Sequence, residues 1–386
     1  MTKILYLHYA EFDSDKANLT QVVSMCNAFK VNGTDVHLVL KNPKNVPLNK
    51  TFGILKNKYG KLINFNIFLN SSAPTRFNRF GKYFNTGYYK KIIEDVSPDF
   101  CFVRSPLMMK ACIAAGINYV YEAHNNLLHE GSSILSKYWK CILKKESQHK
   151  RFLKLITISQ NLKDFWSRQG VQENKIIALH DGFQRDMFEY KIKKNEARRS
   201  LNLPINKKIV LYSGSLYPDR EVESILELAV ELPDILFVVV GGPQKNVDYY
   251  KSMAESKVLK NIIFAGRKPH QLIPLYLFAA DVLLAIWSED VPTINFCSPL
   301  KVFEYMAAGR TIVAHGFPTI KEVLVGKRNA ILVEPGNFPQ LVSSTKDALS
   351  LPYNNSLAIT ARKEAIEQYT WTKRANSILN AIQPLI

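Results

Sequence analysis

The chain has 386 residues, 47% of them apolar, and a formal charge of +18. That length supports more than one hydrophobic core, so two domains are expected. No apolar run approaches the roughly 20 residues of a membrane span, and five scattered cysteines (Cys26, Cys101, Cys112, Cys141, Cys297) argue against a disulfide framework or zinc site and for a reduced, cytoplasmic setting.

The opening Met1–Tyr9 reads as a first strand and lacks the features of a signal peptide. Strands are predicted at Ile4–His8, Val36–Leu40, Phe100–Val103, Tyr119–Glu122 and Leu155–Ser159, with a helix over Leu19–Val31 ending near Gly33. The polar segment Tyr190–Arg199 reads as a passage between domains, with the boundary near 188, so the domains are expected at 1–188 and 189–369. Beyond it, strands are predicted at Ile209–Ser213, Ile235–Val240, Ile262–Ala265, Val282–Ile286 and Thr311–Ala314. Helices are predicted at Glu221–Glu231, Tyr249–Ser256, Leu272–Ala279, Pro299–Ala308 and Ile320–Val325, and the tail carries the apolar spacing Ile378, Ile382. Strands alternating with helices signal α/β layers around parallel sheets. No G-x-G-x-x-G follows the first strand, which disfavours a dinucleotide-binding Rossmann enzyme.

Charge is unevenly spread. Residues 1–185 hold 27 Lys and Arg against 13 Asp and Glu, so the N-terminal half expects an anionic partner. Basic and aromatic residues interleave at Arg76, Phe77, Arg79, Phe80, Lys82, Tyr83, Tyr88 and Tyr89. A second cluster (Lys137, Tyr138, Trp139, Lys140, Lys144, Lys145, Lys150, Arg151) falls on a predicted helix. Such a helix suits peripheral contact with an anionic membrane face and a lipid-phosphate acceptor; a plain solvated basic face explains it equally well. No nucleic-acid module is present, and a nucleic-acid partner is not expected.

The run Ser298-Pro299-Leu300-Lys301-Val302-Phe303-Glu304-Tyr305-Met306-Ala307-Ala308-Gly309 carries the most chemistry. Ser298 is a good N-cap, Pro299 suits the first helical position, and Gly309 suits the left-handed position after the last turn. The first-turn amides of Leu300, Lys301 and Val302, the helix dipole and the Lys301 ammonium would together attract phosphate. Glu304, the only acid in the run, lies one turn after Leu300, and helical side chains lean toward the N-terminus. Its carboxylate would then accept from sugar hydroxyls beside the anion. A capped helix with one partly exposed acid accounts for the same residues.

This segment resembles the nucleotide-binding signature of the retaining GT-B glycosyltransferases called group 1 or family 4, in the branch that writes the helix S-P-L-K-x-F-E-Y-M-A-x-G. Other matches follow in order: Tyr121-Glu122-Ala123-His124-Asn125 (Y-E-x-H-[DN]), Ile156–Ser159, His180–Phe183, Leu211–Leu216, Val238–Pro243, Asn261–Gly266, Ala280–Val282 and Asn329–Val333. The resemblance implies two Rossmann-like α/β domains with parallel sheets facing a central cleft, and a last helix (about 370–386) packed back on the first domain. It implies transfer of a sugar from a nucleoside-diphosphate donor to a saccharide or polyprenyl-diphosphate-linked glycan, with no metal and no cofactor.

Transfer from such a donor loads negative charge onto the leaving diphosphate while the sugar becomes oxocarbenium-like. The resemblance puts the donor on Gly214, Ser215, Arg220, Gly242, Arg267, Asn295, Ser298, Pro299, Leu300, Lys301 and Glu304. Arg220 stands where the family has a phosphate-binding base, and an ion pair with Glu221 or Glu223 is its alternative. Ser215 replaces a common Arg, which Lys301 would offset. The family's E-x7-E is half present: Glu304 supplies the ribose ligand, but Phe296 stands where the sugar-contacting acid belongs, leaving Asn295 or backbone amides to serve. Base contacts fall to the backbone around Gly266-Arg267-Lys268, and Gly241-Gly242-Pro243 reads as a turn that lets a ligand approach, a plain tight turn accounting for it equally well. His124 is the expected catalytic residue, stabilising the cationic sugar and orienting the reactants. Glu122, Asn125 and Arg104 are candidate acceptor contacts, Glu122 having a structural role as its alternative. A nucleotide-sugar epimerase on the same fold, or a weakly active partner subunit, are the rival readings.

Overall fold

The computed structural model describes residues 1–14, 17–71, 81–125, 133–189 and 192–386. Arg76, Phe77, Arg79, Phe80 and Tyr190, and the side chains of Lys82, Tyr83, Tyr138 and Trp139, lie outside what is described. The chain forms two compact units, Met1–Asp181 with Trp371–Ile386, and Gly182–Thr370. No helix among the described residues is long and apolar enough to cross a membrane.

The first unit is built on seven parallel strands: β1 (Lys3–Glu11), β2 (Asp35–Lys41), β3 (Asn66–Asn70), β4 (Phe100–Val103), β5 (Asn118–Ala123), β6 (Phe152–Thr157) and β7 (Ile176–Ala178). Their order is β3-β2-β1-β4-β5-β6-β7. Ile4 pairs with Val36 on one side and Phe100 on the other, so the chain changes direction across the sheet between β1 and β4. In the second unit, β8 (Ile209–Gly214), β9 (Leu236–Gly241), β10 (Ile262–Gly266), β11 (Val282–Ala285), β12 (Thr311–His315) and β13 (Ile331–Val333) lie in the order β10-β9-β8-β11-β12-β13. The same reversal falls between β8 and β11. In open parallel sheets, ligands bind outside the carboxyl ends of the strands at this reversal.

The inner strands β4, β9 and β11 are apolar throughout, as burial on both faces demands, whereas β5 carries the buried Glu122. Alternate residues of β8 serve different cores: Ile209 and Leu211 pack with the helix Leu300–Ala308, and Val210 and Tyr212 with the helix Val222–Glu231. The C-terminal helix Trp371–Ile382 packs against the helix Ala17–Val31 of the first unit, burying Ile378 and Ile382.

Several expectations are corrected here. The units part at 181/182, not near 188, because Phe183 and Phe188 sit in the second unit's core with ring centroids 5.5 Å apart. The polar passage holds a helix, Lys194–Ser200, belonging to that unit. Its Arg198 is buried, bonded to Asp281 at 2.6 Å and to the carbonyls of Ala279 and Lys207, so a charge that looked solvated is a structural pin. The helix expected at Ile320–Val325 is the short turn Pro318–Lys321. The strands β3, β7 and β13 were not among those predicted; all three are sheet edges of five residues or fewer.

Candidate active site

In the second unit the site grows from the end of β8. The signature helix runs Leu300–Ala308 and stops at Gly309, which adopts the left-handed conformation (φ 63, ψ 51). It begins one residue later than expected. Pro299 takes the cap position with no side-chain cap, so Ser298 is not the N-cap. The Val302 N–H bonds the Pro299 carbonyl at 3.0 Å. The first-turn amides left for an anion are therefore those of Leu300 and Lys301, which no carbonyl within the helix can reach.

The helix is pinned to the strand end by Tyr305, whose hydroxyl accepts from the Ser213 N–H at 2.7 Å. That contact aims Lys301 over β8. Its Nζ sits 3.8 Å from the centroid of the Tyr212 ring and 4.8 Å from that of Trp287, and is buried without a hydrogen-bond partner among the described residues. A side chain at Gly214 would put its Cβ 3.1 Å from this Nζ, so glycine clears the lysine's place. Burial drives the Lys301 ammonium well below the ordinary lysine range, and the Arg220 charge adds to the fall. Arg220 lies on the turn Pro218–Arg220; its Nε donates to Ser215 Oγ at 3.2 Å and is 3.5 Å from Asp219, not paired with Glu221 or Glu223. Those two acids bond Ser224 and Tyr250 instead.

One turn further in, Glu304 is buried and already partnered: His270 Nε2 lies 2.6 Å from its Oε1. Burial works against a charged His270, but the carboxylate's charge and hydrogen bond outweigh it and hold the imidazole above its ordinary range. Gly214, Ser215, Arg220 and Lys301 thus come together, with Glu304 behind them on the same helix. Arg267 and Asn295 are exposed, and Ser298 is buried. At Gly242, with φ +78, an added Cβ would fall 2.5 Å from Leu216 Cγ, so packing against Leu216 requires glycine there.

In the first unit, His124 follows β5 at the carboxyl edge and is half-buried. Its Nε2 is 3.1 Å from Glu122 Oε2 but off the line of a hydrogen bond. Burial, then Arg104, keep His124 below the ordinary histidine range against the pull of Glu122, so it is neutral at pH 7. Glu122 has no exposed side-chain surface. It meets Arg374 at 2.7 Å, Tyr6 Oη at 3.1 Å and Arg104 at 3.6 Å. It is therefore a structural hub rather than an acceptor contact, tying the C-terminal helix to the sheet. Arg104, its side chain only 7% exposed, donates to Gln21 Oε1 at 2.6 Å and is likewise held inward. Asn125, next along the bend after His124, is half-buried.

Four groups escaped the reading of the sequence. Tyr212 and His8 were read as parts of strands and Trp287 was not singled out; both nitrogens of the buried His8 imidazole lack a partner among the described residues. His270 carried a signal: it follows the Gly266-Arg267-Lys268 stretch that was credited only with backbone contacts.

Residues 193–367 match the family described as glycosyl transferases group 1. That stretch is similar to the group 1 glycosyltransferases. The chain is similar to the lipopolysaccharide 1,2-N-acetylglucosaminetransferase of Salmonella typhimurium, 26% identical over 231 residues, which cover 56% of this chain and 58% of that protein. The chain spans about half the length of the curated relatives it matches. Among solved structures it is similar to sucrose-phosphate synthase from Thermosynechococcus elongatus (TM-score 0.78, 15% identity, 100% of this chain and 99% of that one). It is also similar to Anabaena HepE in complex with UDP-glucose (TM-score 0.76, 15% identity, 100% of both chains). These likenesses show the fold, GT-B: two α/β units with parallel sheets. The matched stretch contains every residue of the Lys301, Arg220 and Glu304 constellation.

Proposed function

We propose that the chain is a retaining, metal-independent glycosyltransferase moving a sugar from a nucleoside-diphosphate donor to a saccharide or polyprenyl-diphosphate-linked glycan in bacterial polysaccharide assembly. UDP is the first choice of nucleotide and GDP the second. One observation carries this reading: a buried, unpartnered lysine and a second cation, Arg220, stand with two helix-start amides at the reversal point of the second sheet. Cations and amides gathered at one strand end suit a diphosphate. They would neutralise the leaving group in the role a metal fills elsewhere. Glu304, oriented by His270, would accept from the ribose hydroxyls.

His124 is the proposed catalytic residue of the first unit, its imidazole suited to hydrogen-bonding a sugar hydroxyl. In a front-side displacement the acceptor oxygen bonds the anomeric carbon on the face from which the phosphate departs, which gives retention, and the leaving phosphate takes the acceptor's proton. The UDP-glucose of the Anabaena neighbour and the lipopolysaccharide acceptor of the Salmonella relative support the substrate classes. The helix Ser133–Glu146 buries Ile142 and Leu143 while Lys137, Lys144 and Lys145 face out. That arrangement supports peripheral contact with an anionic membrane on the cytoplasmic side.

The test is a thermal-shift and calorimetric screen of UDP-, GDP- and ADP-sugars against wild type and Arg220→Ala. One nucleotide should raise the melting temperature. Arg220→Ala should weaken it by about 10- to 100-fold, the worth of a hydrogen bond to a charged group. Absence of binding by any nucleotide, or full affinity in Arg220→Ala, overturns the reading.

A further inference from the structure

The amine of Lys301 is placed unlike a standing counter-charge. A lysine that is charged throughout keeps water or a carboxylate beside it, because burying a lone ammonium is expensive. Lys301 has no carboxylate beside it among the described residues: its Nζ is buried against the faces of Tyr212 and Trp287, with a second cation as its charged neighbour. The groups around it come from every side. Tyr212 faces it from β8, and Arg220, itself 3.5 Å from Asp219, from the turn after that strand. Trp287 faces it from the end of β11, held by His315 of β12, whose Nδ1 lies 2.8 Å from the Trp287 carbonyl oxygen and 3.3 Å from its amide nitrogen. Tyr305 and Glu304 follow on its own helix, the first committed to Ser213 and the second to His270. None of these offers Lys301 a negative partner. The ring faces attract a cation, which orients the amine, but they do not replace its hydration.

We propose that Lys301 rests as a neutral amine caged by Tyr212 and Trp287, and takes a proton from solvent when a nucleoside diphosphate binds, so that donor binding is proton-coupled. The proton passes from bulk water to the Nζ lone pair, and no other bond changes. The cost of the buried charge is then met only when the diphosphate arrives to pair with it. Tyr212 and Trp287 become positioning residues, acting through the lysine. This rests on the diphosphate site proposed above.

The sign follows from linkage. A group that gains a proton on binding makes the affinity fall as pH rises, by up to about tenfold per pH unit for one whole proton. Calorimetry of UDP and GDP with the full chain at pH 7.5 and 8.5, in buffers of different ionisation enthalpy, counts the protons directly. A terminal phosphate has completed its second ionisation, near pH 6, well below this range. Wild type should take up most of a proton per nucleotide and lose affinity between the two values. Lys301→Met should bind more weakly with no uptake, and Lys301→Arg, whose charge is permanent, should show no uptake whatever its affinity. Trp287→Leu, which removes one wall of the cage, should change the proton count as well as the affinity. Binding of either nucleotide to wild type without uptake, or uptake that persists in Lys301→Met, overturns the proposal while leaving the diphosphate site standing. Failure of both nucleotides to bind overturns the site and the proposal together.

Discussion

Replacing Arg374 by Met probes what holds the first unit together. The guanidinium is only 2% exposed and meets the fully buried Glu122 at 2.7 Å. It also donates to the carbonyls of His180 and Leu179 at 2.9 and 3.2 Å. Removing one partner of a buried pair leaves the other charge uncompensated, which costs about 3–5 kcal/mol. Arg104 remains 3.6 Å from Glu122, so the lower end, about 3 kcal/mol, is expected. For a unit of this size each kcal/mol moves the melting temperature by about 2–4 °C, so the first transition should fall by about 6–12 °C. Differential scanning calorimetry of the full chain reads this, with the second unit's transition as an internal control. The double variant Glu122→Gln with Arg374→Met removes the stranded charge and should recover part of the loss. A single variant melting within about 2 °C of wild type, or a double variant whose loss equals the sum of the two single ones, would refute the hub.

Glu122 also sets an acid limit. Burial would raise its carboxyl, but Arg374, His124 and Arg104 together hold it well below the usual range. Its stabilisation is therefore present above the unfolded carboxylate value of about 4.3 and lost as pH falls toward the depressed folded one; Glu122→Gln should flatten the acid side of the stability profile measured by urea titration. His270→Ala should weaken nucleotide binding by about 10-fold, through loss of a charged hydrogen bond to Glu304, while His270→Gln, which can still donate, should recover part of it in the same calorimetric assay. Gly242→Ala should destabilise the second unit by about 1–3 kcal/mol, because its Cβ would meet Leu216 at 2.5 Å in a left-handed backbone; denaturant melts would show it, and Leu216→Ala should relieve part of the strain. His124→Ala should lower turnover more than donor affinity, and a variant with full turnover in a glycosyl-transfer assay removes the residue from the mechanism.

Local pattern alone determined most of this architecture. Uninterrupted apolar runs such as Val238–Val240 and Val282–Leu284 can be satisfied only inside a sheet covered on both faces, so the central strands and the parallel class were legible. The Gly309 stop was legible too, since a left-handed residue at that point favours glycine. Three of the four edge strands were not, because stretches such as Asn66–Asn70 and Ile176–Ala178 take their pairing from one neighbour and need little apolar burial. The site divides the same way. Lys301 and Glu304 could be named from their spacing within one helical run, and Arg220 from the family resemblance of the run Gly214–Arg220. What surrounds them could not: His270 lies 34 positions from Glu304, and Arg374 more than 250 from Glu122. Whether a charged side chain is solvated, paired or stranded depends on which distant groups the fold brings within a few ångströms, and that decided the fates of Glu122, Arg198 and Lys301.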